Sequence, residues 1–250
     1  MNTNRQIKHQ LLCLLKQDHF EKTLGEFSRF PARRAVNPLF SFLYSGDELV
    51  KYRAVTAFGM IVANLAKQDI ESARVVMRRF IWNLNDESGG IGWGSPEAMG
   101  EIMARSDSLA EEYANFLISY MMPDGNFLEH PMLQRGLLWG VGRLAHARPR
   151  LVQQADRFLL FFLQSTDPFH RGLSAWALGA LGDMSVIELL EPMLHDRCSL
   201  RIYAGFQIVD RTVGDLAAEA LTRIKRSHAK TQSRNGHKSR LFNRKKPSGS

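Results

Sequence analysis

The sequence predicts an all-α protein, a solenoid of about five helical-pair repeats with a short β-hairpin before the last helix. Three observations favour this class. A motif of small and apolar residues recurs along the chain, apolar side chains recur at helical spacing, and turn signals separate the segments. The 250 residues are enough to bury a sizeable core, and a content of 44% hydrophobic and 23% charged residues is that of a globular protein.

The recurring motif is clearest at residues 171–179, RGLSAWALG. Shifts along the chain align this segment with residues 134–142 and 51–59, and shorter matches surround Gly100 and Thr222. The anchor positions are therefore 59, 100, 142, 179 and 222, which are spaced by 41, 42, 37 and 43 residues. Two helices in a period of about 40 residues are typical of an α-solenoid.

One copy of the motif shows why it predicts a buried helix. Leu173, Trp176 and Ala177 follow the i, i+3, i+4 spacing of an apolar helix face. Small residues within 172–179 form a second stripe, which allows two helix axes to approach closely. Gly182 follows as a predicted helix C-cap. The motif therefore predicts a helix that packs against neighbours on two sides.

Amphipathic partner helices are predicted between the anchors, and the chain divides into three parts. An N-terminal helical cap is predicted over residues 1–32, a repeat domain over 33–226 and a disordered basic tail over 227–250. In residues 199–211, alternating side chains around Ala204 and Gly205 predict the β-hairpin. This hairpin is either a feature of its own or an extension of one turn between helices. The predicted partner helices cover residues 70–83, 108–121, 151–164 and 186–195.

The Ala-x-Ala-Leu-Gly anchors resemble HEAT repeats, in particular the short form known as phycocyanobilin-lyase HEAT-like repeats. The resemblance covers about residues 33–226 and implies a HEAT-like α-solenoid. HEAT repeats serve many partners, so it implies a protein-interaction scaffold or adaptor without intrinsic catalysis. The stretch at 82–97, WNLNDESGGIGWGSPE, also resembles the signature of an uncharacterised group of bacterial HEAT-like proteins, which supplies no activity.

That stretch holds the candidate binding site, an acidic, glycine-rich loop over residues 83–97. Carboxylates, an amide and an aromatic ring on such a loop can hold a ligand, a hard cation or a partner peptide. A ligand-binding or lyase-like enzyme centred on this loop is therefore an alternative function. The other interpretation is a tight connector whose tryptophan fills the gap between neighbouring repeats. The candidate binding residues are Asn85, Asp86, Glu87, Trp93 and Glu97.

The loop leads into a helix that carries several charges. Ser95 is predicted as the N-cap, followed by Pro96 in the first helical position. Glu97 and Glu101 lie at i, i+4, and Arg105 lies four residues further on. This spacing places all three on one helix face, and it predicts a solvated charged surface.

No catalytic residue, metal ligand or cofactor is predicted. The segment 140–145, GVGRLA, formally matches a dinucleotide-binding motif, but it lies inside a predicted helix and therefore indicates packing. HEAT-type hydroxylases hold two irons through His-Glu pairs, whereas the one adjacent pair here, Glu129-His130, is reversed.

The basic charge belongs to the C-terminal end. Residues 225–250 carry nine Lys or Arg and no acid, while residues 1–224 carry 24 bases and 25 acids. A basic tail can bind nucleic acid, which is a second alternative function, or it can only aid solubility. The near-neutral body counts against the nucleic-acid alternative.

The sequence predicts a cytoplasmic protein with a protein partner and no membrane association. Two cysteines, Cys13 and Cys198, do not make a disulfide framework. The apolar run at residues 11–15 is too short for the core of a signal peptide, and no dense apolar stretch approaches the length of a membrane span.

Overall fold

Helices make up 74% of the chain in the computed structural model, which confirms the predicted all-α fold. The structure describes residues 3–86 and 92–243, with side chains as far as Ala229. In chain order the α-helices are α1 (Asn4–Leu15), α2 (Phe20–Phe27), α3 (Ala32–Leu43), α4 (Glu48–Gln68), α5 (Ile70–Leu84), α6 (Ser95–Arg105), α7 (Asp107–Ser119), α8 (Pro131–Ala147), α9 (Asp156–Phe162), α10 (Pro168–Leu181), α11 (Ile187–Leu190) and α12 (Val213–Asn243).

The helices form two layers of a solenoid. Helices α4, α6, α8, α10 and α12 pack side by side in chain order as an inner layer. Helices α3, α5, α7 and α9 pack on this layer as their partners. Each of the five anchor positions falls in a different inner helix, so the sequence period of about 40 residues is the repeat of the inner layer.

The small-residue stripe lies where inner helices meet. A Cβ atom on Gly100 would lie 2.3 Å from the carbonyl oxygen of Gly140, and one on Gly179 would lie 2.5 Å from the Cα of Ala220. At Gly142 a Cβ would lie 2.5 Å from the Trp176 ring. Any larger residue would push these helices apart, so the glycines are explained by packing. The packing interpretation of the segment 140–145 follows from the same contacts.

The helix ends agree with the sequence at one position and differ at another. Gly182 ends α10 in the left-handed conformation, with φ of 79°, as predicted. Ser95 is not the N-cap of α6, which is Gly94, with φ of 76°. A Cβ atom on Gly94 would lie 2.9 Å from Leu43, so the loop reaches α6 by a path that a side chain would block.

The outer layer is less regular than predicted. The predicted helix 151–164 is split into a 3-10 segment, Pro149–Ala155, and helix α9. Val152 interrupts the helical backbone there with φ of −127°. The predicted helix 186–195 is reduced to the four residues of α11 between short 3-10 turns. Proline contributes to the second break, because Pro192 cannot donate the backbone hydrogen bond that a continuing helix needs.

Helix α12 extends beyond the predicted repeat domain. Its backbone is helical to Asn243, whereas the composition predicts disorder from residue 227. The division of the chain into a cap, a repeat domain and a tail stays a prediction.

One helix in the described part of the chain, α4, is long and apolar enough to cross a membrane by length and composition. It is 21 residues long, and 61% of its most apolar window is buried inside the fold. This burial is that of the core helix of a solenoid.

Gly179→Ala should lower the free energy of unfolding by about 1–3 kcal/mol, because the added methyl group meets the backbone of Ala220. Gly25→Ala in α2 is the matched control, since no atom lies within 4 Å of the added Cβ. The control should leave stability unchanged or raise it by about 0.5–1 kcal/mol. Urea unfolding followed by circular dichroism measures both. Equal stability of the two variants would contradict the close approach.

Candidate functional site

The predicted hairpin is present and lies across the inner layer. Strand β1 (Ser199–Ala204) pairs antiparallel with β2 (Gln207–Thr212), and a two-residue turn joins them. Both turn residues, Gly205 and Phe206, have positive φ, which is the turn that suits the twist of a hairpin. The hairpin contacts α4 as well as its chain neighbours α10 and α12, so it spans the inner layer rather than extending one inter-helix turn.

Arg53 on α4 fastens the tip of the hairpin. Its side chain is buried, its Nη1 donates to the carbonyl oxygens of Leu15 (2.9 Å) and Gln17 (2.8 Å), and its Nε donates to that of Phe206 (3.3 Å). The guanidinium also lies over the Phe20 ring. One buried cation therefore joins the end of α1, helix α4 and the hairpin turn.

Tyr203 on β1 attaches the hairpin to two inner helices. Its hydroxyl lies 3.0 Å from Thr56 Oγ1, and its ring stacks on Tyr52 with centroids 5.1 Å apart. Its carbonyl accepts a hydrogen bond from Trp139 Nε1 at 3.3 Å. Burial raises the pKa of Tyr203 far above the ordinary value, so the hydroxyl stays neutral and remains a hydrogen-bond donor.

A cavity of about 370 Å³ opens beside the hairpin turn, and we call it the hairpin cleft. Inner helices from α4 to α12 and the hairpin supply its walls, which combine aromatic rings with charged groups. Its main lining residues are Thr56, Glu101, Arg105, Trp139, Arg143, His146, Trp176, Tyr203, Phe206 and Glu219.

Glu101 is the buried centre of the charged wall, and only 2% of its surface is exposed. Arg105 Nε donates to one carboxylate oxygen, and Arg143 Nε donates to the other at 2.6 Å. The expected solvated face at Glu97, Glu101 and Arg105 is therefore wrong. Helix α4 packs so closely on α6 that a Cβ on Gly59 would lie 2.6 Å from Glu101 Cγ. This contact excludes water from the side of Glu101 that faces α4.

His146 forms part of the aromatic wall of the hairpin cleft. Its ring stacks on Trp176 with centroids 4.4 Å apart, and its Nε2 lies 3.2 Å from the Trp176 carbonyl oxygen, to which an N–H at this position donates. Burial, together with nearby Arg223, lowers the pKa of His146 to about 4. At neutral pH the imidazole therefore adds no charge to the cleft.

The candidate loop residues have separate environments. Asn85 ends α5, and its side-chain oxygen accepts a hydrogen bond from the Tyr120 hydroxyl at 3.2 Å. Asp86 follows it, and Glu87 lies outside the described residues. Trp93 is 44% exposed. A binding role for this loop stays a prediction.

Glu97 lies on the inner layer and not on the loop surface. Its side chain is 2% exposed, and Lys51 Nζ lies 2.7 Å from its Oε1. Together with Tyr52 and Arg201 it lines a small cavity of about 70 Å³ beside strand β1. Of the candidate residues with described side chains, Glu97 is the one that faces the inner layer with the cleft residues.

The repeat period itself marks the residues of the cleft, although the loop motif is the more conspicuous pattern. In each inner helix, the residue three positions before the anchor and the residue one position after it are four apart. They therefore lie on the same helix face, and this face forms the inner surface of the solenoid. All but Glu97 of the first series line the hairpin cleft, as do Glu101 and Arg143 of the second. The first series is Thr56, Glu97, Trp139, Trp176 and Glu219, and the second is Met60, Glu101, Arg143, Ala180 and Arg223.

Comparisons with known proteins identify the class of fold. No family model matches the sequence. An uncharacterized protein of Archaeoglobus fulgidus is 25% identical over 182 residues, which cover 72% of this chain and 92% of the relative. An engineered protein solved by the Northeast Structural Genomics Consortium aligns with a TM-score of 0.51 at 18% identity, over 90% of this chain and 97% of the other.

Two repeat proteins align less closely. A designed armadillo repeat protein in complex with a (KR)4 peptide has a TM-score of 0.48 at 15% identity, over 86% of this chain and 98% of the other. An archaeal HEAT-like repeats protein from Thermococcus onnurineus has a TM-score of 0.40 at 14% identity, over 90% and 81% of the two chains. The two layers of paired helices make the chain a HEAT-like helical repeat solenoid.

Acid should destabilise the fold through His146. Its pKa is about 4 in the folded state and about 6.5 when unfolded, so the unfolded state binds an extra proton between these values. The free energy of unfolding should therefore fall as the pH drops from about 6.5 to 4, by roughly 1–3 kcal/mol from this group. His146→Phe keeps a ring on Trp176 but cannot titrate.

Urea unfolding at several pH values checks this expectation. The loss of stability in acid should be smaller in His146→Phe than in the parent. His195→Phe, at an exposed histidine, is the control for the substitution itself. Parallel profiles for the parent and His146→Phe would show that this imidazole does not stay neutral.

Proposed function

We propose that the protein is a non-catalytic interaction scaffold that binds an extended segment of a protein partner in the hairpin cleft. The observation that carries this proposal is the cleft itself. It is an open cavity across successive inner helices, with aromatic rings and guanidinium groups in its walls. Solenoids present corresponding residues of successive repeats along one surface, and such a series suits an extended chain.

The exposure of the wall groups supports binding. The side chains of Arg105 and Arg143 are 26% and 29% exposed, so they are fixed at one end and open at the other. Trp176 is half-buried, with its ring held against His146. Half-buried aromatic and arginine side chains are the residue types that supply most of the binding energy in protein interfaces.

The state of the titratable groups supports a role without catalysis. A general base works best when its pKa lies near the working pH, whereas the pKa of His146 is lowered to about 4. Both oxygens of Glu101 already accept hydrogen bonds from arginine. Glu219, the other carboxylate of the cleft, pairs with Arg211.

The finer assignments belong to the same proposal. The repeat motif supports membership of the phycocyanobilin-lyase HEAT-like type, and the stretch at 82–97 supports membership of the uncharacterised bacterial HEAT-like group. Cys13 and Cys198 are exposed free thiols, which supports a reducing, cytoplasmic location.

Affinity capture from a lysate of the source organism, read by quantitative mass spectrometry, tests the function. The parent, Arg143→Gln and Arg78→Gln should be compared, because Arg78 is an exposed arginine on outer helix α5. Proteins enriched by the parent should be retained by Arg78→Gln and reduced about tenfold by Arg143→Gln. Arg105 still pairs with Glu101 in that variant, so we expect it to fold.

Melting temperatures of the three proteins provide the control for folding. Equal capture by all three folded proteins would show that the cleft does not bind the partner. The absence of any protein enriched over an empty matrix would contradict the scaffold function itself.

A further inference from the structure

We propose that the cleft recognises an acidic segment, in which an Asp or Glu side chain binds Arg105 and Arg143 and a neighbouring apolar side chain packs on Trp176. This inference rests on the proposed function and adds the chemistry of the partner. It follows from the charges that face the cleft, from the geometry of the two guanidiniums and from the surface that continues along α12.

The charges of the cleft do not balance. Arg105 and Arg143 share the single carboxylate of Glu101, which leaves one positive charge in the group. Arg211 offsets Glu219 at 3.1 Å, and His146 is neutral. Arg223 is a further cation, close enough to His146 to help lower its pKa. Across the faces that surround the cleft, cations therefore exceed anions.

The two guanidiniums are arranged to accept another anion. Among the described residues, Arg143 bonds only Glu101, and it uses only Nε to do so. Its two Nη groups are not among the buried, unpartnered polar atoms. Arg105 uses Nε for Glu101 and Nη1 for the sulfur of Met60. Glu101 thus fixes both side chains while N–H donors remain for a ligand. A planar guanidinium fixed in advance binds a carboxylate at little further cost in side-chain entropy.

The aromatic wall accounts for the apolar part of the segment. Trp176 and Tyr203 line the same cavity as the arginines, together with Phe206 at the hairpin turn. A carboxylate alone would leave the half-buried rings of Trp176 and Phe206 in contact with water. An apolar side chain beside the acidic residue would cover them and exclude water from the ion pair, which strengthens it.

A second cationic surface continues from the cleft along α12. A cavity of about 640 Å³ shares Glu219 with the cleft and is lined by Arg211, Arg223 and Arg226. Its other acid, Asp215, accepts a hydrogen bond from the backbone N–H of Thr212, the last residue of β2. An acidic segment that leaves the cleft along this surface would therefore continue to meet positive charge.

Two other occupants fit this surface less well. The basic C-terminal residues of the chain would be repelled by the excess positive charge of the cleft. A nucleic acid would need a broad positive surface, but residues 1–224 carry 24 bases and 25 acids. The arginines of the cleft are recessed beside a hairpin, which suits a single carboxylate side chain better than a phosphate backbone.

Display of random peptides against the full-length protein tests the inference. We expect enriched sequences to combine Asp or Glu with a neighbouring apolar residue. Fluorescence anisotropy then gives the affinity of a synthetic consensus peptide. Affinity should fall at least tenfold in Arg143→Gln and less in Arg143→Lys, which keeps the charge but loses the fork of donors. It should not change in Arg78→Gln.

The outcomes separate the inference from the proposed function. Basic or neutral consensus peptides that still require Arg143 would overturn the acidic chemistry and leave the scaffold function standing. Acidic peptides that bind Arg143→Gln as tightly as the parent would overturn the assignment to the cleft. A single-stranded oligonucleotide that binds more tightly than the peptide, with the same dependence on Arg143, would assign the cleft to nucleic acid. Failure to enrich any peptide would count against both proposals.

Discussion

The close approach of the inner helices is the constraint on which the rest of this structure depends. At Gly100 and Gly179 the backbone of one inner helix touches that of the next, with no space for a methyl group. The close packing of the inner helices buries Glu97 and Glu101, although both lie on the polar face of α6. A buried carboxylate is costly unless it is paired, so Lys51, Arg105 and Arg143 lie beside these groups.

The charge of the hairpin cleft follows from this packing. Glu97 has one cation and Glu101 has two, and the excess is directed to the open side of the inner layer. Toward the interior these groups neutralise a buried acid, and toward the cavity they expose N–H donors. The hairpin cleft is in this sense a consequence of how the solenoid is packed.

The hairpin, together with the stacked inner helices, forms the walls of a defined cavity. It returns to α4 from the far end of the chain, and Arg53 holds its turn through a backbone carbonyl. Without this arginine, carbonyls at the end of α1 and in the hairpin turn would lose their donor, at a cost of about 1–3 kcal/mol for each buried group left unpaired. The N-terminal helix α1, the inner layer and the hairpin are thereby connected at one residue.

The sequence predicted the repeat and the hairpin because both are local patterns. The period of the anchor motif placed all five inner helices, and the residues around Gly205 placed the turn. The burial of Glu101 could not be predicted, since an i, i+4 pair of acids looks the same whether the face meets water or another helix. The contact of Tyr203 with Thr56 could not be predicted either, because 147 residues separate them in the chain.

The most direct measurement follows the four indole N–H signals by nuclear magnetic resonance while a peptide of alternating glutamate and phenylalanine is added. Trp139 and Trp176 line the cleft, whereas Trp82 and Trp93 are exposed elsewhere. Tryptophan-to-phenylalanine variants assign the signals. The account predicts that the signals of Trp139 and Trp176 shift and that the other two stay in place. A shift of the Trp93 signal alone would contradict it and would assign binding to the loop at 83–97.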